Sequence, residues 1–361
     1  MHAGFVLLLA LAFAVLYALL LPRLTGAGWQ FLASVPLRRR ENGEWQALNL
    51  TWYGIFLALG GTLAVALFLL ATGSTGMPVT VAALSVTVIL GACLPAARLI
   101  TRIVEKNRHG FTVGGASFVG ILLAPPLVLA LQACGIEGHA GELHALPVLA
   151  AMAVAYVLGE GIGRLACVSF GCCRGCRIDA LPPRLARTLA PLAVSWDGDT
   201  RHALWEPRAL LDVVPIQAMT CVLYTVLALA GLYFFLEGQF RLAFAGTLIP
   251  ALLWRVLSEY LRADWRGGRK FSVYQTMALT GSVWSAGWAL ALPAAPEVPQ
   301  LAAGIATLWQ APVLVLLEAV FVVMFVYTGA STMTCGEIRF RARRRRKALL
   351  EPLRSHIANR P

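Results

Sequence analysis

Two acid–base pairs at helical spacing stand out in the chain: Glu160 with Arg164, and Arg255 with Glu259. Partners four residues apart share one helix face and can neutralise each other. Arg262 follows Arg255 by seven residues and can join that face. Guanidinium grips phosphate through paired hydrogen bonds, so such a cluster suits an anionic headgroup. A structural reading, in which the pairs clamp neighbouring helices together, uses the same residues. The first pair lies in GEGIGRLACVSFGCCRGC at 159–176. Its glycines Gly159 and Gly163, and again Gly171 and Gly175, are four apart, a spacing that lets a helix or a ligand approach the backbone closely. Cys167, Cys172, Cys173 and Cys176 fall in the same stretch. Cys173-x-x-Cys176 is half of a zinc site, but no second half at metal spacing follows, so no metal site is expected. Arg164, Arg174 and Arg177 lie near enough in sequence to stabilise a thiolate, with unreactive packing as the simpler account.

The elements that must position these residues follow from composition. Hydrophobic residues make up 58% of the 361 and charged residues 13%, against about 25% charged in soluble domains. Eight cysteines in a chain of this length exclude a disulfide-rich secreted scaffold. A helix needs about 20 apolar residues to cross the hydrocarbon core. Nine such stretches occur, at about 5–22, 50–72, 76–97, 111–133, 145–163, 213–236, 242–262, 271–293 and 304–330. The first has no basic residue before its apolar run and no cleavage pattern after it, so it reads as a retained helix. The fold class expected is all-α: a polytopic membrane helix bundle of about nine spans with a small extramembrane head at about 164–212.

Both acid–base pairs then lie within the bilayer, where ionisable groups are costly and mark function by default. Glu318, alone in the last span, reads as a structural carboxyl. Every Lys and Arg except Arg241 and Arg255 falls on one side of the nine spans. By the positive-inside rule that side is cytoplasmic, with the N-terminus out and the C-terminus in, as expected for a multi-pass protein of the plasma (inner) membrane. The RARRRRK run at 341–347 serves best as an anchor on anionic headgroups; no nucleic-acid partner is expected. Asn49-Leu50-Thr51 fits a glycosylation sequon but abuts a span, and His139 and His144 read as solvated.

The ordered motifs resemble the prolipoprotein diacylglyceryl transferases. WYG at 52–54 looks like that family's first core helix, and GGASFVG at 114–120 resembles its GGMSFHGG segment. GIGRLACVSFGCCRG at 161–175 is similar to its GRIGNFINGELYG signature, in the variant form carrying GCC. PIQ at 215–217 resembles PxQLYE, WRVLSEYLRAD at 254–264 resembles FRFxVEFFR, and Gln275 falls where a glutamine opens the last core helix. The resemblance covers about residues 48–293, with an extra helix and basic linker before it (1–47) and an extra helix and polybasic tail after it (294–361).

The resemblance implies a reaction, and with it partners. The family moves a diacylglyceryl group from phosphatidylglycerol to the thiol of a lipobox cysteine, leaving a thioether and releasing glycerol phosphate, without a cofactor. Arg164 and Arg255 would hold the phosphate, supported by Glu259 and Arg262. Tyr53, Gly114, Gly115, Gly175, Gln217 and Gln275 would bind substrate. The departures are specific: Val119 replaces a histidine, Cys167 an asparagine, and Cys172 and Thr220 each a glutamate. The phosphate-gripping cations persist while several proton-transfer groups do not. Glu160, Glu259 or a head cysteine would have to serve as base or nucleophile. The alternative is a non-catalytic protein of the same descent that binds anionic lipid. The family places its chemistry at the outer leaflet, whereas the charge count here puts the basic face inside.

Overall fold

The structure is a computed structural model and describes residues 1–26, 28–39, 41, 45–104, 113–135, 144–196, 212–263 and 271–331. Among the described residues nine long helices occupy the nine expected stretches: α1 (His2–Leu24), α2 (Trp52–Ser74), α3 (Val79–Val104), α4 (Val113–Ala133), α5 (Ala145–Phe170), then, beyond the short head helix α6 (Pro183–Leu189), α7 (Ile216–Leu236), α8 (Phe240–Glu259), α9 (Val273–Ala291) and, after the short α10 (Leu301–Leu308), α11 (Ala311–Gly329). Among the described residues seven helices are long and apolar enough to cross a bilayer, and α3 is apolar over Val79–Cys93. The chain is a multi-pass membrane protein and its architecture is an α-helical bundle. In hydrocarbon every backbone group must be satisfied within its own segment, which is why the apolar stretches are helical.

Three boundaries differ from expectation. The fifth helix runs on to Phe170, so Arg164 and Cys167 ride on it and the head starts at Gly171. The last span is broken at Trp309–Gln310, with Pro312 in the first turn of α11, where its missing N–H leaves no helix bond unmade. The basic linker before α2 folds as an antiparallel hairpin, β1 (Phe31–Arg39) with β2 (Trp45–Thr51), and β2 also pairs with the two-residue β3 (Ala330–Ser331). Asn49, inside this sheet, is buried and accepts from the Ser34 hydroxyl at 2.9 Å, which leaves the sequon inaccessible.

Helix α5 is the centre of the bundle and packs against α1, α2, α4, α7 and α8. Its contact with α2 is backbone to backbone. A Cβ on Gly60 would sit 2.8 Å from the Gly159 carbonyl oxygen and 3.0 Å from the Gly163 nitrogen, so the glycine spacing of α5 serves helix packing there. Gly171 ends α5 in the left-handed conformation (φ 68°), its N–H returning to the Cys167 carbonyl at 3.0 Å. The alternation of the chain places the ends of α1, α3, α5, α8 and α11, and the starts of α2, α4, α7 and α9, at one end of the bundle, together with the sheet and the head.

The opposite end carries two histidine–carboxylate pairs, His2–Glu237 at 3.2 Å and His144–Glu297 at 2.6 Å. His144 is therefore paired, not simply solvated; a partner 153 residues away in sequence is not visible locally. Glu318 is exposed on the outer side of α11. His139, Cys335 and the 341–347 basic run lie outside the described residues.

Candidate functional site

At the head-bearing end of the bundle, α5 delivers Tyr156, Glu160 and Arg164 on one face at successive four-residue steps. The Glu160 carboxylate is the meeting point. Arg164 donates to it at 2.5 Å from its own helix, Arg255 donates at 2.8 Å from α8, and the Tyr156 hydroxyl donates to its other oxygen. Arg255 thus makes its ion pair across the helix interface, where the sequence suggested Glu259 on its own helix. Glu160 is 4% exposed, Arg164 16% and Arg255 14%, so the triad sits where water screens it little.

The two arginines line a narrow cleft with Ile216, Gln217, Thr220, Tyr224, Ser258, Glu259 and Arg262. Three guanidinium groups and two carboxylates, counting Glu160 beside it, therefore gather at this cleft. Glu259 also accepts from the Ser272 hydroxyl at 3.3 Å. The Gln217 amide donates to the Cys172 carbonyl at 2.7 Å, while its Oε1 is buried and without a partner among the described residues. A second cleft lies on the far side of Arg255, walled by Gly114, Ser117, Phe118, Ile121, Leu252, Tyr274, Met277 and Ala278. A Cβ on Gly114 would meet the Arg255 Nη2 at 2.5 Å, so glycine there is what lets the guanidinium pass.

Five of the expected site residues therefore meet in one cleft: Arg164, Arg255, Glu259, Gln217 and Arg262. Gly114 borders the second. The other four line neither. Gly115 is buried in the first turn of α4. Tyr53 packs edge-on against Phe170, in electrostatic reach of Cys167, Cys172, Cys173 and Arg164. Gly175 pairs with the Arg262 backbone, and a Cβ there would strike the Val214 carbonyl oxygen at 2.2 Å; its smallness is structural. Gln275 forms the capping box of α9 with Ser272, and its amide donates to the Val256 carbonyl at 3.1 Å.

Among the departures, Thr220 sits in the cleft wall, accepting from Trp254 Nε1 at 2.9 Å and donating to the Ile216 carbonyl at 2.7 Å. Val119 lines neither cleft. Sequence reasoning missed Tyr156 and Tyr224. The first was detectable four residues before Glu160; the second, held by its hydroxyl on the Ala251 carbonyl at 2.8 Å, carried no local signal.

Below the triad the cysteine run folds back on itself. The sulfurs of Cys167, Cys172 and Cys173 lie within 4.8 Å of one another. Cys173 takes a left-handed backbone (φ 55°), unusual for a residue with a Cβ. Hydrogen bonds from Cys167 and then Cys172 hold the Cys173 thiol well below its ordinary pKa, against its burial, with Arg262 and Arg164 adding to the effect. Hydrogen bonds with Cys167 and then Cys173, together with burial, push the Cys172 thiol up. Cys176 points elsewhere, packing on the apolar cluster of Leu189, Val214 and Ile216.

A multi-pass helical bundle with a buried two-arginine, one-carboxylate triad opening on a cleft is the class that fold and site define. The family model described as prolipoprotein diacylglyceryl transferase matches residues 44–292, and the chain belongs to that family. No curated protein and no solved structure matches the chain.

Proposed function

We propose that this protein transfers a diacylglyceryl group from phosphatidylglycerol to a thiol, acting in the plasma (inner) membrane. The observation that carries the reading is the convergence of Arg164 and Arg255 on Glu160 beside a cleft. A phosphodiester monoanion suits the site, because two fixed guanidinium groups match its oxygens. The buried, unpartnered Oε1 of Gln217 supports a glycerol headgroup, because a headgroup hydroxyl would satisfy it. The core at 48–293 supplies all of these groups, and the helices on either side of it serve as additions.

In the transfer, the acceptor sulfur attacks the terminal glyceryl carbon that bears the phosphate ester. The carbon–oxygen bond breaks and its electron pair leaves on glycerol phosphate. Arg164 and Arg255 hold the growing negative charge, an arrangement preorganised by Glu160 and requiring no reorientation during reaction. The thiol proton needs an acceptor. Glu160 is occupied by three donors, whereas Glu259 faces the cleft, so Glu259 takes the role of base.

Purified protein given labelled phosphatidylglycerol and a lipobox-cysteine peptide is expected to release glycerol phosphate, and Arg164→Ala to abolish the release. Lipid binding without release under any thiol acceptor would instead identify a non-catalytic lipid-binding protein, the reading that Val119 and Thr220 favour. A reporter fused at Pro361 distinguishes a site on the inner face, as the basic ends predict, from one on the outer face.

A further inference from the structure

The cysteine turn holds a group of soft ligands that the transfer reaction does not use. Its three sulfurs come from the last turn of α5 (Cys167) and from the two residues after the Gly171 cap (Cys172, Cys173), and they converge to within 4.8 Å. Cys176, the expected partner of Cys173, turns away to the Leu189 cluster, so the ligand set is not the C-x-x-C that the sequence displays. Zinc–thiolate bonds of about 2.3 Å would set the sulfurs about 3.8–4.0 Å apart around one ion, so the group closes on a cation through small side-chain rotations. The left-handed backbone at Cys173 turns its sulfur toward the other two, and non-glycine residues held in that region cluster at functional sites. Arg164 and Arg262 lie close enough to act electrostatically on Cys173 and would offset the excess negative charge of three thiolates on one cation.

We propose that Cys167, Cys172 and Cys173 form a three-thiolate site for a thiophilic cation, Zn(II) or Cu(I), set in the turn between α5 and the head. Soft thiolates select these ions over the harder divalent metals. Three protein ligands leave one coordination position open on zinc, and a trigonal cuprous ion would need no fourth ligand. The site is separate from the phosphate cleft but joined to it through the Gln217 amide, which donates to the Cys172 carbonyl.

The test uses the full chain, reduced and metal-free in detergent under anaerobic conditions. Co(II) stands in for zinc, and Cu(I) is delivered from a coloured chelator. One equivalent of Co(II) per chain is expected, with the intense sulfur-to-cobalt absorption of a thiolate site that zinc then bleaches. If Cu(I) is the ion instead, one equivalent is withdrawn from the chelator and cobalt gives no such band. Binding should be lost in each of Cys167→Ser, Cys172→Ser and Cys173→Ser, and retained in Cys176→Ser and Cys134→Ser. Should a serine variant fail to fold, the wild-type chain still decides: metal should slow alkylation of Cys172 and Cys173 while Cys176 and Cys134 react at unchanged rates. No stoichiometric uptake of either ion, uptake that survives Cys172→Ser, or protection of Cys176 with Cys173 would each overturn the site.

Discussion

Replacing Glu160 by Gln keeps the shape of the side chain and removes the charge on which Arg164 and Arg255 converge. The wild-type carboxylate accepts from both guanidiniums, at 2.5 and 2.8 Å, and is 4% exposed. Each charge-assisted hydrogen bond contributes about 1.5–3 kcal/mol, and breaking a buried ion pair costs about 3–5 kcal/mol because a charge is left uncompensated. The amide of Gln can still accept one of the three donors, so a loss near the lower end, about 3 kcal/mol, is expected. Unfolding of the purified chain in mixed micelles measures it. The cycle Glu160→Gln, Arg255→Gln and the double variant isolates the cross-helix pair, and the double should be less destabilised than the sum of the singles by about 0.5–3 kcal/mol. Function should split. The cleft becomes more positive, so anionic-lipid affinity is not expected to fall. Turnover should drop by about 10²-fold, because guanidiniums displaced by about an ångström no longer meet the leaving group. A Glu160→Gln chain that melts within about 0.5 kcal/mol of wild type, or an additive cycle, would refute the shared-carboxylate account.

Other outcomes follow from single contacts. Gly114→Ala places a Cβ 2.5 Å from the Arg255 Nη2, and turnover should fall more than thermal stability does, read as activity per folded molecule. Gln275→Ala removes half of the α9 capping box and should cost about 0.5–2 kcal/mol in unfolding assays with little change in the lipid affinity of the folded fraction. Glu259→Gln, if Glu259 takes the thiol proton, should lower turnover by about 10²–10⁴-fold with KM for lipid held, whereas a purely structural role would move melting temperature and KM together. In the reduced, metal-free chain Cys173 should alkylate ahead of Cys172 at neutral pH, followed by mass mapping, because its folded pKa lies below the ordinary value. The sign follows: the stability gained from that thiolate is present above the unfolded thiol pKa, about 8.5, and is lost as pH falls through the depressed folded value.

Much of this was legible in the residues. The long helices fall where the apolar runs fall, and five of the ten expected site residues share one cleft. The hairpin before α2 was missed, although Asn42-Gly43 between two apolar-bearing stretches is a strong hairpin signal; the neighbouring arginines drew the reading toward a charged linker. Gly175 and Gln275 read as substrate contacts because the family motifs include them, yet their close approach to Val214 and the α9 cap accounts for both in structural terms.

Sequence by itself determined the medium, the helices and the basic end of the bundle, because a bilayer admits only segments that satisfy their own backbone and because loop charges count independently of packing. Tertiary structure decided which carboxylate the arginines share, which glycine makes room for a guanidinium, and which three of four neighbouring cysteines face one another. Those are contacts between separate elements: Glu160 and Arg255 are 95 residues apart, and a four-residue helical rule sees only partners on the same rod.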